Sequence, residues 1–134
     1  MVKKVFLVLL ALAGVLFNVD AQSHKTQWVD SVFKSLSDDE KIAQLMVIRA
    51  HSNLGADHVA KVTNDIKKYN VGALCFFQGG PIRQANLTNY YQSIAKTPIM
   101  VTIDGEWGLG MRLDSVLDFP YQLTLGAMDD QNLV

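Results

Sequence analysis

Apolar positions fall in blocks along the chain, and the spacing inside each block predicts its element. Trp28, Val32, Phe33 and Leu36 recur at helical spacing. Ser37 with Glu40 three residues on makes a capping-box pattern, which satisfies orphan N–H groups at a helix start. The helix it opens is short, because "LMVIRA", residues 45–50, then reads as a buried strand. After a polar loop with Gly55, "ADHVAKVTNDIKKYN" is an amphipathic helix on Val59, Val62, Ile66 and Tyr69, with Asn70 as its stop. "VGALCFF", residues 71–77, has no polar alternation, as expected of a strand covered on both faces. "QGGP" is a loop. Pro81 opens a further helix, where its missing N–H is harmless. That helix carries Ile82, Ala85, Leu87, Tyr90, Tyr91 and Ile94, and Pro98 leads into a third strand, "IMVTI".

The order is therefore helix, then β–α–β–α–β, then a long loop. Strands that alternate with helices make a parallel α/β sheet. A flavodoxin-like open sheet and a β/α barrel share this local grammar, and both place function at the carboxyl ends of the strands. The stretch "TPIMVTIDGEWGLGMRLD" lies there, with Asp104 closing the third strand and Glu106 two residues on. If the extended backbone persisted, a period of two would put both carboxylates on one side. Glycosidases work with two carboxyl groups about 5–5.5 Å or roughly 6.5–9.5 Å apart, and Cα atoms two residues apart on a strand, about 6.5–7 Å, do not exclude such a pair. Adjacent backbone positions rarely flank a scissile bond, however, so the favoured division is one carboxylate for substrate and one for the loop.

Composition narrows the classes. The chain has 134 residues, 49% of them hydrophobic, a net charge of −1 and a pI near 6.2. That is ordinary globular usage, with no basic excess to suggest nucleic acid. Lys3 and Lys4, an apolar run over residues 5–17 and "VDA" at residues 19–21 form a secretory signal peptide with cleavage after Ala21. The run is shorter than the roughly 20 residues a membrane span needs, so export to the periplasm or the medium is expected, without a stable membrane anchor after cleavage. Cys75 is the only cysteine and reads as a small buried hydrophobe. His24 lies near the cleavage site, His58 reads as a solvated helix residue, and His51 follows the first strand without an evident partner. No metal-ligand spacing occurs, so neither metal nor cofactor is expected. "NLT" at Asn86 fits a glycosylation sequon but falls inside a predicted helix.

"IDGEWGLGMRL" resembles the D-x-E-x-G-x-x-x-R segment of glycoside hydrolase family 3, closer to the β-N-acetylhexosaminidase branch than to the β-glucosidase branch, which more often has a D-A-V-H-G-type segment there. Three further pieces are similar to family segments, in the same order: "LSDDEKIAQLMVI", "VGALCFF" and "FPYQLTLGAMDD". The resemblance implies the first three or so βα units of a (β/α)₈ barrel, with residues 22–134 as an incomplete N-terminal portion. A whole barrel needs about 250 residues.

By the same resemblance, Asp104 matches the aspartate that accepts hydrogen bonds from sugar hydroxyls in the −1 subsite, and Arg112 matches its arginine partner. A carboxylate suits hydroxyls, because ionised acceptors make the stronger hydrogen bonds, and an arginine fork can orient it. Glu106 matches a loop-organising acid. Trp107 stands where the hexosaminidase branch often has glycine, so it stacks on a sugar or closes the loop. The family's nucleophilic aspartate and histidine-bearing acid/base loop lie later in the barrel, so no catalytic residue is expected in this chain, and both are expected beyond Val134. The implied activity is hydrolysis of β-linked sugars, N-acetylglucosamine foremost, with retention. A β-glucosidase-type member and a non-catalytic exported sugar-binding module are the alternatives, and an exported flavodoxin-like or binding-protein half-domain is the competing fold.

Overall fold

The computed structural model describes residues 20–130 and 132. The expected signal peptide lies outside them except for Asp20 and Ala21, which open helix α1 (Asp20–Ser35). The chain divides into two compact units, residues 1–37 and 38–134. In the first, α1 covers the helical spacing read around Trp28, although Trp28 and Phe33 are exposed.

The second unit holds α2 (Asp38–Ala43), β1 (Val47–Ala50), α3 (Gly55–Tyr69), β2 (Ala73–Phe76), α4 (Pro81–Ile94), β3 (Met100–Ile103), a 3₁₀ turn (Leu109–Met111) and α5 (Gln122–Gly126). Helix α2 begins directly after Ser37, at the predicted cap, with Asp38, Asp39 and Glu40 in its first turn. Acidic residues there complement the positive end of the helix dipole. Helix α3 stops at Asn70, which takes the left-handed conformation (φ 57°) and returns its N–H to the Ile66 carbonyl. That conformation is uncommon outside glycine, and asparagine tolerates it best among the rest. Pro81 stands at the start of α4.

All three strands are parallel, in the order β1-β2-β3. A flavodoxin-like sheet would place β1 between the other two; here β2 is central. The register aligns Ile48, Leu74 and Val101 in one row and Ala50, Phe76 and Ile103 in another. These rows pack with Val62 and Ile66 of α3 and Tyr91 of α4 in a single core. Both crossover helices thus cover the same face of the sheet. The alternate positions, Val47–Ala73–Met100 and Arg49–Cys75–Thr102, share the opposite face.

Several expectations of burial need correction. Residues 45–50 do not form a buried strand throughout: Leu45 and Met46 precede β1 and are exposed, as is Val47, because β1 is an edge of this sheet. On α3, Tyr69 is exposed while Val62 and Ile66 are buried. On α4, Tyr91 is buried and Leu87 and Ile94 pack on the core, but Ile82, on the opposite side of the helix, is exposed, and Tyr90, at the edge of the stripe, is exposed while its hydroxyl accepts from Thr63 Oγ1 (3.4 Å). Cys75 is half-buried, because its strand position faces away from the helices.

Candidate functional site

The carboxyl ends of the three strands carry the chemistry. One residue past each strand's end the chain continues on the same face as Arg49, Cys75 and Thr102, with His51 after β1, Phe77 after β2 and Asp104 after β3. The ladder extends to this level: the Phe77 N–H donates to the Ala50 carbonyl (2.9 Å) and the Asp104 N–H to the Phe76 carbonyl (3.4 Å).

Asp104 is held by Arg112. The Arg112 Nε donates to the Asp104 carbonyl (2.6 Å) and Nη2 to its carboxylate Oδ2 (2.5 Å). The side chains are 14% (Arg112) and 39% (Asp104) exposed. One fork therefore grips backbone and side chain of the same residue, which fixes the carboxylate and leaves Oδ1 without a partner among the described residues. The pairing of Asp104 with Arg112 is present, and the extended backbone that would have aligned Asp104 with Glu106 does not persist. The chain turns after Asp104, with Gly108 N–H bonded to the Gly105 carbonyl (3.1 Å), and Glu106 is exposed. Gly108 sits at φ 102°, a conformation glycine adopts freely. The Glu106 carbonyl accepts a hydrogen bond from the Gln122 side chain, and the Trp107 ring meets Tyr121 edge-on at 4.9 Å. Both contacts fold the loop onto the segment that follows it.

The loop after β2 is tied into the same place. Gly79 and Leu113 form a parallel bridge, with Gly79 N–H to the Arg112 carbonyl (3.1 Å) and Asp114 N–H to the Gly79 carbonyl (2.8 Å). A Cβ at Gly79 would lie 1.7 Å from Ser52 Oγ, which itself accepts from the Gly80 N–H (3.0 Å). Arg83 adds an ion pair to Asp114 (2.5 Å).

Phe77 is the hub of the side chains. The guanidinium of Arg112 lies 4.6 Å from its ring centroid and that of Arg49 lies 4.5 Å away, while the His51 ring stacks on it at 5.7 Å with 24° between planes. Arg49 Nη2 is 3.2 Å from His51 Nε2. An arginine only donates, so Nε2 accepts and the neutral ring carries its proton on Nδ1. That atom is buried and has no partner among the described residues. The His51 backbone N–H donates to His58 Nε2 (3.0 Å), and the two imidazoles meet at 81°. His58 is thus half-buried and engaged, not the solvated residue its helix position suggested. Burial foremost, then the charge of Arg49, the neighbouring His58 and the charge of Arg112, hold the His51 pKa below 6.5; burial, then Lys61 and Arg49, lower that of His58. Arg49 and Phe77 were not singled out by the sequence reading. The available signal was R-x-H, whose period of two places Arg49 and His51 on one face at the end of a strand.

Among the described residues no group of acids, histidines and cysteine is arranged to hold a metal ion. No helix among them is long and apolar enough to cross a membrane. Residues 37–134 match the family model described as the glycosyl hydrolase family 3 N terminal domain. The chain belongs to glycoside hydrolase family 3. No individual curated protein matches the chain. Family membership makes the parent protein a glycosidase and its substrate a carbohydrate. The matched span starts just before α2 and contains the whole cluster around Phe77.

Proposed function

We propose that the chain is the opening portion of the barrel of an exported, retaining β-N-acetylhexosaminidase, in which Asp104 and Arg112 bind the sugar of the −1 subsite. The observation that carries this reading is the single-residue grip of Arg112 on Asp104, which leaves Oδ1 free beside a half-open face at the strand ends. Such an oxygen accepts hydrogen bonds from sugar hydroxyls. Those bonds strengthen as positive charge develops on the ring in the oxocarbenium-like transition state, so the pair contributes to kcat as well as to binding.

The sequential strand order, with both crossover helices on one face, is compatible with the first units of a (β/α)₈ barrel, whose interior would receive the Arg49–Cys75–Thr102 row. The nucleophilic aspartate and the acid/base histidine are assigned to sequence beyond Val134, and residues 1–21 to a cleaved signal peptide. Among the described residues Glu106 offers no second catalytic carboxylate opposite Asp104, since the turn at Gly105 carries it into an exposed loop. The hexosaminidase assignment within the family draws on the D-x-E-x-G-x-x-x-R segment.

The test is a mechanism-based covalent inhibitor applied to the full-length protein, followed by peptide mapping. The label is expected on an aspartate beyond Val134, on a substrate analogue bearing N-acetylglucosamine. A label on Asp104 or Glu106 would make this loop the catalytic one and overturn the assignment to binding.

A further inference from the structure

Arg112 carries a charge, yet its side chain is only 14% exposed, so its neighbours decide where its donors point. Its edge is engaged by Asp104, with Nε on the backbone carbonyl (2.6 Å) and Nη2 on Oδ2 (2.5 Å). Both bonds run to one residue. By themselves they leave the guanidinium free to hinge about the line through the two acceptor oxygens. Its face is engaged by Phe77, whose ring centroid lies 4.6 Å from the guanidinium carbon. A guanidinium keeps its donors in its own plane and is weakly hydrated, so a ring on its face displaces no hydrogen bond and adds an electrostatic attraction. The edge contacts set the direction of the fork, and the ring sets its plane.

Phe77 is itself held on a frame that includes Arg112. Its N–H continues the ladder to the Ala50 carbonyl (2.9 Å). Two residues on, the Gly79 N–H donates to the Arg112 carbonyl (3.1 Å), so the ring and the guanidinium are carried by backbones bonded to each other. The Ser52 N–H donates to the Gln78 carbonyl (3.2 Å) and Ser52 Oγ accepts the Gly80 N–H (3.0 Å), which pins the same loop to the end of β1. Against the ring itself, His51, 8% exposed, stacks at 5.7 Å with 24° between planes, and the guanidinium of the exposed Arg49 lies 4.5 Å from the centroid. The half-buried Phe77 ring is thus backed as well as anchored.

We propose that Phe77 is a positioning residue of the glycosidase reaction: its ring fixes the plane of the Arg112 guanidinium and, through the grip of Arg112, the direction in which Asp104 presents Oδ1 to the sugar. This rests on the assignment of Asp104 and Arg112 to sugar binding. Hydrogen bonds weaken steeply with misalignment, and those to sugar hydroxyls strengthen as the oxocarbenium-like state forms. Loss of the ring therefore costs more in the transition state than in the bound substrate, and kcat falls while KM holds.

The experiment follows steady-state hydrolysis by the full-length protein, with whichever of para-nitrophenyl β-glucoside and para-nitrophenyl N-acetyl-β-glucosaminide it cleaves faster. Phe77→Leu, which removes the aromatic face, should lower kcat on the order of tenfold with KM changed less than about twofold. Phe77→Tyr, which keeps the face, should recover most of that loss. Phe77→Met also removes the ring, with a side chain that adapts to the gap, and supplies the same measurement where Phe77→Leu does not fold. In an Arg112→Lys background, where the planar fork is gone, Phe77→Leu should cost no more than about twofold. Wild-type kcat in both ringless variants overturns the proposal. So does a Phe77→Tyr protein no better than Phe77→Leu, or an undiminished loss beside Arg112→Lys. The two claims fail separately. If Asp104→Asn and Arg112→Lys each lower kcat/KM while Phe77→Leu does not, only the positioning role is lost; if neither of the first two lowers it, the sugar-binding pair itself is misassigned.

Discussion

The two ends of the same three strands are built from different chemistry. At the amino end, neutral amides complete one another. The Asn70 Oδ1 accepts the Thr97 N–H (3.2 Å) and its Nδ2 donates to Thr97 Oγ1 (3.1 Å), all of it buried. Gln44 donates to the Asn70 carbonyl (2.5 Å), and the Gln92 side chain takes both the N–H and the carbonyl of Ile99 (3.1 and 2.6 Å). At the carboxyl end there are charges, a free carboxylate oxygen on Asp104, an exposed Arg49 and an orphan N–H on His51. A network with every member satisfied rigidifies a fold; one left partly open is costly unless something else completes it. The first end is built for stability and the second carries the proposed sugar-binding pair, the division that parallel α/β folds show between their two faces.

The sharpest way to break this contrast is at Asp104. In the full-length enzyme Asp104→Ala should lower kcat/KM by on the order of 10²–10³ with residual retaining hydrolysis, while the thermal midpoint moves little, because the side chain is partly exposed. Arg112→Lys should also be costly, since a point charge cannot hold both the carbonyl and Oδ2. Steady-state kinetics alongside thermal melts check this; a large loss of midpoint with intact kinetics would reverse the roles of the two ends.

The mirror experiment is Asn70→Ala. It forces a Cβ-bearing residue without a local hydrogen bond into φ 57° and leaves the buried Thr97 N–H without its acceptor. A loss of about 2–4 kcal/mol in urea unfolding is expected, with sugar affinity unchanged. Asn70→Gly should recover the backbone part and keep the hydrogen-bond loss.

The smallest effect comes from pH. His51 and His58 titrate below 6.5 in the folded chain, so the unfolded chain takes up protons first as the solution is acidified. Their contribution to stability is complete above about pH 6.5 and is lost progressively as pH falls through that value, levelling off only below the lowered folded pKa values. The urea midpoint should be lower at pH 5.5 than at pH 7.5, and His58→Gln should reduce that difference. An unchanged difference in the variant would show that His58 does not contribute to the trend.

Much of this was legible without the fold, where the cause is local. Asn70 after α3 and Pro81 at the head of α4 act on their own backbone, and α2 begins directly after Ser37, so these element boundaries could be read from neighbouring residues. The eight-residue step from Asp104 to Arg112 is likewise short enough for one loop to close it, and the family segment named both residues.

What tertiary structure decided is everything that depends on register. The row of Arg49, Cys75 and Thr102, and the gathering of His51, Phe77 and Asp104 above it, require three strands from separate parts of the chain to align at one pairing. A slip of one residue would send Arg49 and His51 to the other face. Burial followed the same rule: Val47 and Tyr69 look like core residues by composition and are exposed, while His58 looks polar and is turned against His51. Periodicity along a chain assigns a side chain to a face of its own element; only the packing of elements decides what that face meets.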